Sequence, residues 1–258
     1  GSYPQILEKM REANFITMFC GIETPNPDAL RAMRKTQNLR IPILEVVEKL
    51  NAHGIEVAAG IILGLDTDTD ETADAIVEFA GVSNIPILTV NLLYALPKTA
   101  LYDRLERDNR LNSGEGRDSN VDYLRGYETT YSDWQGVVRR IYSPEAIYSR
   151  FEANCETTYR NRWVPENPWS RLTWGNLRRA FDVMARMIWH VGIKADYRAH
   201  FWKMAWRELR RGHVENVFHI GFIAHHLILY ARECLAGVKQ ASNYSARDIE
   251  PDSETVPV

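Results

Sequence analysis

Hydrophobic positions along the first 112 or so residues alternate between strand and helix spacing. The pattern predicts an amphipathic helix over 6–13, a buried strand over 15–23, a helix over 42–53, and strands over 55–65 and 87–96. The stretch 55–65 is rich in β-branched residues and almost free of charge, which is typical of a parallel strand covered on both faces. Strands separated by helices in this way predict βαβ units and a parallel sheet.

A helix is also predicted between the second and third strands. Asp68 and Glu71 have the spacing of an N-cap and its reciprocal acid, so we expect Asp68 to cap a helix that runs through Phe79 and Ala80.

The strand pattern stops at about Asn112. A polar connector over 114–120 is followed by helical spacing over 131–141, 144–159, 177–191, 197–211 and 215–237. One helical stripe holds the apolar residues Leu177, Ala180, Phe181, Met184, Ile188 and Val191.

The fold class predicted from these patterns is α/β followed by α. Residues 1–114 are expected to form about three β/α units of a partial (β/α) barrel, residues 115–245 a helical domain, and residues 246–258 a disordered tail. Three units are too few to close a barrel, and the chain opens on a helix with no strand before it. We therefore expect further units upstream of Gly1.

Composition narrows the class of protein. With 45% hydrophobic and 25% charged residues the chain is globular, which excludes disordered and low-complexity proteins. Cys20, Cys155 and Cys234 lie far apart, so we expect reduced and mostly buried thiols rather than disulfides or a local metal motif. No secretory leader precedes the first helix, and we predict a cytoplasmic protein.

Two segments at predicted strand ends carry candidate binding residues. Glu23 ends the first strand, where a carboxylate can bind an ammonium group or a ribose hydroxyl, although a solvated turn residue is the alternative. Gly60 and Gly64 let a flat ring or a neighbouring backbone approach the second strand, unless they serve only as turn residues.

Three segments in order carry a resemblance to a known family. They are Gly21-Ile22-Glu23-Thr24-Pro25 with Leu30, Lys35, Gln37 and Asn38; the strand Gly60-Ile61-Ile62-Leu63-Gly64 with Asp66-Thr67-Asp68; and Ala95-Leu96-Pro97-Lys98-Thr99 with Leu101, Tyr102, Arg104 and Leu105. Together they resemble the last three strands of the radical SAM partial barrel in its cobalamin-binding version. The resemblance implies that Glu23, Gly60 and Gly64 contact S-adenosylmethionine, with Asn91 and Tyr94 as further cofactor or substrate neighbours.

One family motif does not occur in this sequence. Radical SAM proteins hold a four-iron four-sulfur cluster through C-x-x-x-C-x-x-C, which these 258 residues lack, and no cobalamin-binding domain is evident. The resemblance thus implies S-adenosylmethionine, a 4Fe-4S cluster and cobalamin for an intact enzyme, with cluster and cobalamin sites outside this chain. The isolated chain is expected to be inactive.

The helical part resembles the tail domain of hopanoid 2-methylases. The resemblance is carried by Ser119-Asn120-Val121, Thr158-Tyr159-Arg160-Asn161-Arg162, Phe201-Trp202-Lys203, Ala224-His225-His226-Leu227-Ile228 and Ser242-Asn243-Tyr244. It implies methylation of a small-molecule lipid, a hopanoid, at carbon 2. The alternatives are a cobalamin-dependent radical SAM enzyme with another substrate, or a non-catalytic helical module that binds a lipid or a partner on a relic half-barrel.

Charge in the helical part is unevenly placed. Residues 168–240 hold 12 Lys and Arg against 5 Asp and Glu, while the formal net charge of the chain is −3. Arginines and tryptophans are interspersed along this part of the chain. They include Trp169, Trp174, Arg178, Arg179, Trp189, Trp202, Trp206, Arg210 and Arg211. Such a surface suits peripheral contact with the inner face of a membrane, whereas the competing interpretation is a tryptophan-rich core with a solvated basic face. Nucleic acid is not an expected partner.

The histidines near the carboxyl terminus give no metal motif. His219, His225 and His226 lack the i, i+4 spacing and third ligand of a metal site, and we interpret them as core or surface residues.

Overall fold

Three parallel strands and five helices form the first part of the chain in a computed structural model that describes residues 4–33, 35, 41–113, 116–162 and 173–238. The elements, in order, are α1 (Pro4–Glu12), β1 (Thr17–Glu23), α2 (Pro27–Ala32), α3 (Ile43–Ala52), β2 (Glu56–Leu63), α4 (Thr72–Ser83), β3 (Ile87–Leu92) and α5 (Ala100–Arg107). The predicted disordered tail, Ser242–Tyr244 and Trp169 lie outside the described residues.

The sheet has the order β1-β2-β3, and both pairs are parallel. Gly21 lies opposite Gly60, which in turn lies opposite Thr89. The register shifts between Gly21 and Glu23, where the backbone of Glu23 takes a φ of 67°. This irregularity re-aims the end of β1 beside the carboxyl ends of the other strands.

Helices make up the rest of the described chain. They are α6 (Tyr127–Ile141), α7 (Pro144–Thr157), a 3₁₀ turn (Tyr159–Asn161), α8 (Trp174–Met187) continued by a π-helical segment (Ile188–Lys194), α9 (Arg198–Arg210) and α10 (Val214–Leu235). A parallel three-stranded sheet followed by a mostly helical region is the fold class expected from the sequence, which is thus confirmed.

One hydrophobic core joins the sheet to the helical region. It extends from Ile22 and Leu88 through Trp134 to Cys234. The indole Nε1 of Trp134 donates to the Val90 carbonyl at 2.9 Å, so α6 is held directly against β3. The domain boundary predicted between residues 114 and 115 stays a prediction. The hydrophobic core contains residues from both sides of that position.

Two local predictions are wrong. The stretch 15–23 is not a buried strand, because Phe15 and Ile16 before β1 and Phe19 within it are all more than half exposed. Asp68 does not cap α4, whose first residue is Thr72; its carboxylate instead accepts hydrogen bonds from the backbone N–H groups of Gly64 and Leu65 at 2.7 and 3.0 Å. An aspartate can satisfy backbone donors of the preceding turn as well as those of a helix, and sequence spacing does not distinguish the two.

Across the described ranges, no helix combines the length and the apolar character that crossing a membrane requires.

Candidate functional site

Glu23 lies where β1 ends, and its conformation depends on two neighbours. A Cβ on Gly21 would lie 2.7 Å from Glu23 Oε1, so the carboxylate folds back into space that only glycine leaves open. The same Oε1 accepts from Lys35 Nζ at 2.9 Å, and the Glu23 side chain is 17% exposed. The carboxylate therefore already holds one ammonium group at the rim of the sheet.

A cavity of about 300 Å³ opens over the carboxyl ends of the strands, and we call it the strand-end pocket. Its lining includes four of the five residues expected from the sequence, namely Glu23, Gly60, Asn91 and Tyr94. A Cβ on Gly60 would lie 3.2 Å from Cζ of Phe19, so an aromatic ring already packs closely above this glycine. The structure thus brings a carboxylate, an amide, a phenol and a glycine of the central strand to the lining of one cavity.

Gly64 is the expected residue that the structure places elsewhere. It has a φ of 97°, and a Cβ there would lie 2.5 Å from Cε1 of Tyr123. Tyr123 in turn donates its hydroxyl to the Leu93 carbonyl at 3.0 Å. Gly64 therefore lets the Tyr123 ring pack beneath the strand ends and does not line the strand-end pocket.

A second cavity, of about 710 Å³, adjoins the first, and we call it the loop pocket. The two share Glu23, Ile62 and Leu93. The remaining lining residues come from the segments that follow each strand, and most of them are apolar or basic. They are Ala32, Met33, Lys35, Leu65, Asp66, Thr67, Ala100, Leu101, Arg104 and Arg107. Such a cavity suits an apolar ligand oriented by a few polar groups.

Asp66 anchors one wall of the loop pocket. Its two carboxylate oxygens lie 3.0 Å from Arg104 Nη2 and 2.7 Å from Arg110 Nη2. Partial burial raises the pKa of Asp66, but the hydrogen bonds and charges of the two arginines outweigh it and leave the pKa below its ordinary value. The ion pairs hold α5 over the end of β2.

Asp68 has the opposite shift. Burial raises its pKa, and the hydrogen bonds from the Gly64 and Leu65 N–H groups do not fully compensate. This carboxylate closes the turn behind β2 and stays outside both pockets.

Sequence reasoning did not assign Lys35, Asp66, Arg104 or Arg110 to the site. Arg104 and Arg107 occupy a short helix straight after the third strand, which is a signal available from the sequence alone. The pairing of Asp66 with Arg110, 44 residues apart, left no such signal.

The lining of the strand-end pocket is compatible with a ligand that carries an ammonium group. Among the residues that the structure describes, no group of three His, Cys, Asp or Glu side chains is placed to hold a metal ion. The strand-end pocket holds a carboxylate that now accepts from Lys35, and the ring of Phe19 lies over Gly60.

A parallel strand-and-helix sheet whose polar residues meet at the strand ends is the arrangement of an α/β ligand-binding fold, and residues 1–80 match the radical SAM superfamily. The resemblance to radical SAM proteins drawn from the residues is thereby confirmed. Residues 99–240, more than half of the chain, match the domain of unknown function DUF4070, and the chain belongs to this family.

Three curated relatives are methyltransferases by name. The chain is 48% identical to a hopanoid C-2 methylase of Rhodopseudomonas palustris over 95% of its own length and 46% of the relative's. It is 30% identical to an uncharacterized methyltransferase of Synechocystis, over 88% of this chain and 42% of that protein. It is 27% identical to a bacteriochlorophyllide d C-12(1)-methyltransferase of Chlorobaculum tepidum, over 58% of this chain and 34% of that protein. The chain thus spans less than half the length of each.

Proposed function

We propose that the chain forms part of a cobalamin-dependent radical SAM methyltransferase that methylates a hopanoid lipid at carbon 2. The observation that carries the proposal is the 48% identity to a hopanoid C-2 methylase across 95% of this chain. The radical SAM match over residues 1–80 supports the reaction class independently.

The strand-end pocket is the proposed S-adenosylmethionine site. Glu23 would bind the ammonium group of the cofactor, in the position where it now accepts from Lys35. Gly60 would let the cofactor approach the sheet if the Phe19 ring above it moves aside, with Asn91 and Tyr94 beside it. Gly64 would contribute indirectly, by seating Tyr123 under the strand ends.

S-adenosylmethionine and a 4Fe-4S cluster would supply the radical chemistry when bound, and cobalamin would supply the methyl group. This chain's residues would bind, orient and exclude water. The apolar side chains Met33, Ile62, Leu65, Leu93 and Leu101 of the loop pocket suit the hydrocarbon body of the substrate. Because the C-x-x-x-C-x-x-C motif does not occur in these residues, we propose that the chain alone is inactive.

A lipid substrate would lie in a membrane, and the enzyme would have to contact that membrane to reach it. Peripheral contact with the cytoplasmic face is therefore part of this proposal, as is a cytoplasmic location.

A chimera tests the function directly. Replacing the matched 46% of the Rhodopseudomonas palustris methylase with this chain gives a protein that can be produced in a strain lacking its own methylase. We expect lipid mass spectrometry to detect hopanoids methylated at carbon 2, together with 5'-deoxyadenosine from the purified protein. A folded chimera that forms 5'-deoxyadenosine without methylated hopanoid would indicate another substrate. A folded chimera that forms neither product would favour the non-catalytic module.

A further inference from the structure

Exposed apolar side chains are concentrated on α8, the π-helical segment and α9. We define the tryptophan face by its six exposed residues, Trp174, Phe181, Trp189, Ile193, Trp202 and Trp206. Their exposed fractions run from 40% at Trp202 to 84% at Trp174. The interpretation of these four tryptophans as a core, one of the two drawn from the sequence, is therefore wrong.

The face is built on a helix anchored by its opposite side. Met187 is buried, and its Sδ would lie 2.6 Å from a Cβ on Gly221 of α10. Trp174, Arg178 and Phe181 follow one another at helical spacing on the outward side. With Ala180 and Met184 they line an open apolar cavity of about 510 Å³.

Trp202 joins α9 to the π-helical segment and makes the face continuous. Its Nε1 donates to the Gly192 carbonyl at 2.8 Å, and a Cβ on Gly192 would lie 2.9 Å from its ring. Trp202 and Trp206 are one turn apart on α9, as Trp189 and Ile193 are near one turn apart on the preceding segment. Trp202 therefore brings α9 against the π-helical segment, so that exposed residues of both segments lie near one another.

Cations lie among these rings. Lys194 Nζ is 5.5 Å from the Trp189 ring centroid, and Arg210 Cζ is 5.1 Å from that of Trp206. Within the described part of the chain, Arg178, Arg179, Lys194 and Arg210 make no ion pair. Arg211 differs, because it pairs with Glu156 and Glu208. The face thus offers basic side chains beside wide apolar side chains.

We propose that the tryptophan face binds the surface of an anionic lipid bilayer. Tryptophan rings suit the boundary between headgroups and acyl chains, and long basic side chains reach the phosphates while their stems lie on apolar surface. The charge of the face selects an anionic membrane over an apolar protein partner. The proposal rests on the proposed function in one respect, since a lipid substrate explains why an enzyme would need this contact.

Co-sedimentation of the full chain with vesicles tests the proposal. We expect binding to vesicles of phosphatidylglycerol mixed with phosphatidylcholine, loss of binding near 1 M salt, where the Debye length is about 3 Å, and weak binding to pure phosphatidylcholine. Arg178→Gln, Arg179→Gln and Arg210→Gln should each weaken binding about five-fold, since one engaged cation contributes about 1 kcal/mol. Protein left in the supernatant with anionic vesicles at the lowest salt would overturn the proposal.

Two variant sets separate the face from general effects. Trp174→Ser with Phe181→Ser should weaken vesicle binding at every salt concentration at which the parent chain binds, because the apolar contact is lost. The matched controls are Arg139→Gln and Leu124→Ser, at exposed positions of α6 and the segment before it, and they should bind like the parent chain. Equal loss in the controls, or self-association through the face without vesicle binding, would contradict the proposal.

The vesicle assay needs no cluster or cofactor, so it is independent of the methylation assay. A chain that binds vesicles while the chimera makes no methylated hopanoid would reject the proposed function alone. A chimera that methylates while the chain ignores vesicles would reject the tryptophan face alone.

Discussion

His219 Nε2 lies 2.8 Å from Glu56 Oε2, which joins the last long helix to the first residue of the central strand. Glu56 is completely buried, and the Tyr159 hydroxyl donates to the same oxygen. Arg162 Nη2 lies 3.6 Å from it. A buried carboxylate requires such partners, because its transfer from water is costly when it is unpaired.

His219→Ala should lower the free energy of unfolding by about 2 kcal/mol, since it removes a hydrogen bond to a buried charged group. His226→Ala is the matched control, because His226 is exposed seven residues later on the same helix. Its effect should stay within about 0.5 kcal/mol. Urea unfolding followed by circular dichroism measures both, and equal losses would mean that the Glu56 contact contributes nothing specific.

Gly64→Ala should destabilise the fold by about 2 kcal/mol, because a left-handed backbone penalises a Cβ and the Tyr123 ring leaves no space for it. Gly81→Ala should instead stabilise α4 by about 0.5 to 1 kcal/mol, since nothing lies within 4 Å of a Cβ there. Thermal unfolding of the two variants checks the contrast. A Gly64→Ala variant with unchanged stability but weaker S-adenosylmethionine binding would indicate that Gly64 contacts the cofactor directly.

Acid should remove the stabilisation that Glu208 provides. Burial raises the pKa of this fully buried carboxyl, but hydrogen bonds from Asn216, His213 and Arg207 outweigh burial and leave the pKa below its ordinary value. A carboxyl whose pKa is lower in the folded chain stabilises folding above its unfolded pKa, and this contribution is lost as the pH falls through the folded pKa.

Glu208→Gln should therefore destabilise the chain by about 1 kcal/mol at neutral pH, with the difference shrinking below about pH 4. Glu78→Gln, at an exposed position of α4, is the control. Urea unfolding across the pH range measures the effect. A difference from the parent chain that is the same at every pH would show that the Glu208 charge is not responsible.

Glu23→Gln in the chimera should weaken S-adenosylmethionine binding at least about ten-fold, since a hydrogen bond between charged groups contributes about 1.5 to 3 kcal/mol. Glu45→Gln removes an exposed helix-surface partner of Lys49 and should leave the affinity unchanged. Calorimetric titration measures both. If both variants keep the parent affinity, Glu23 serves only to anchor Lys35.

Local patterns predicted the elements of this protein well. The stretch around Ile61, rich in β-branched residues and almost free of charge, forms the central strand, since a strand buried on both faces is largely apolar; the buried Glu56 at its start is the exception. Helical spacing likewise located α3, α6, α7, α9 and α10 to within a few residues, except that α6 begins four residues earlier than expected. Glu23 was predicted because ligands bind where parallel strands end, and the family resemblance added Gly60, Asn91 and Tyr94. All four line the strand-end pocket, and their binding role stays a prediction.

What surrounds each element was decided only by tertiary packing. The sequence by itself determined that Phe19 and Trp174 are apolar, but only the fold leaves Phe19 over Gly60 at a pocket and Trp174 facing outward. The sequence also determined that residue 64, a glycine, can adopt a left-handed backbone conformation. Only the tertiary structure packs the ring of Tyr123, 59 positions along the chain, against it. The exposure of a side chain and its contact partners depend on which distant segments of the chain pack against it. The local sequence pattern does not identify those segments.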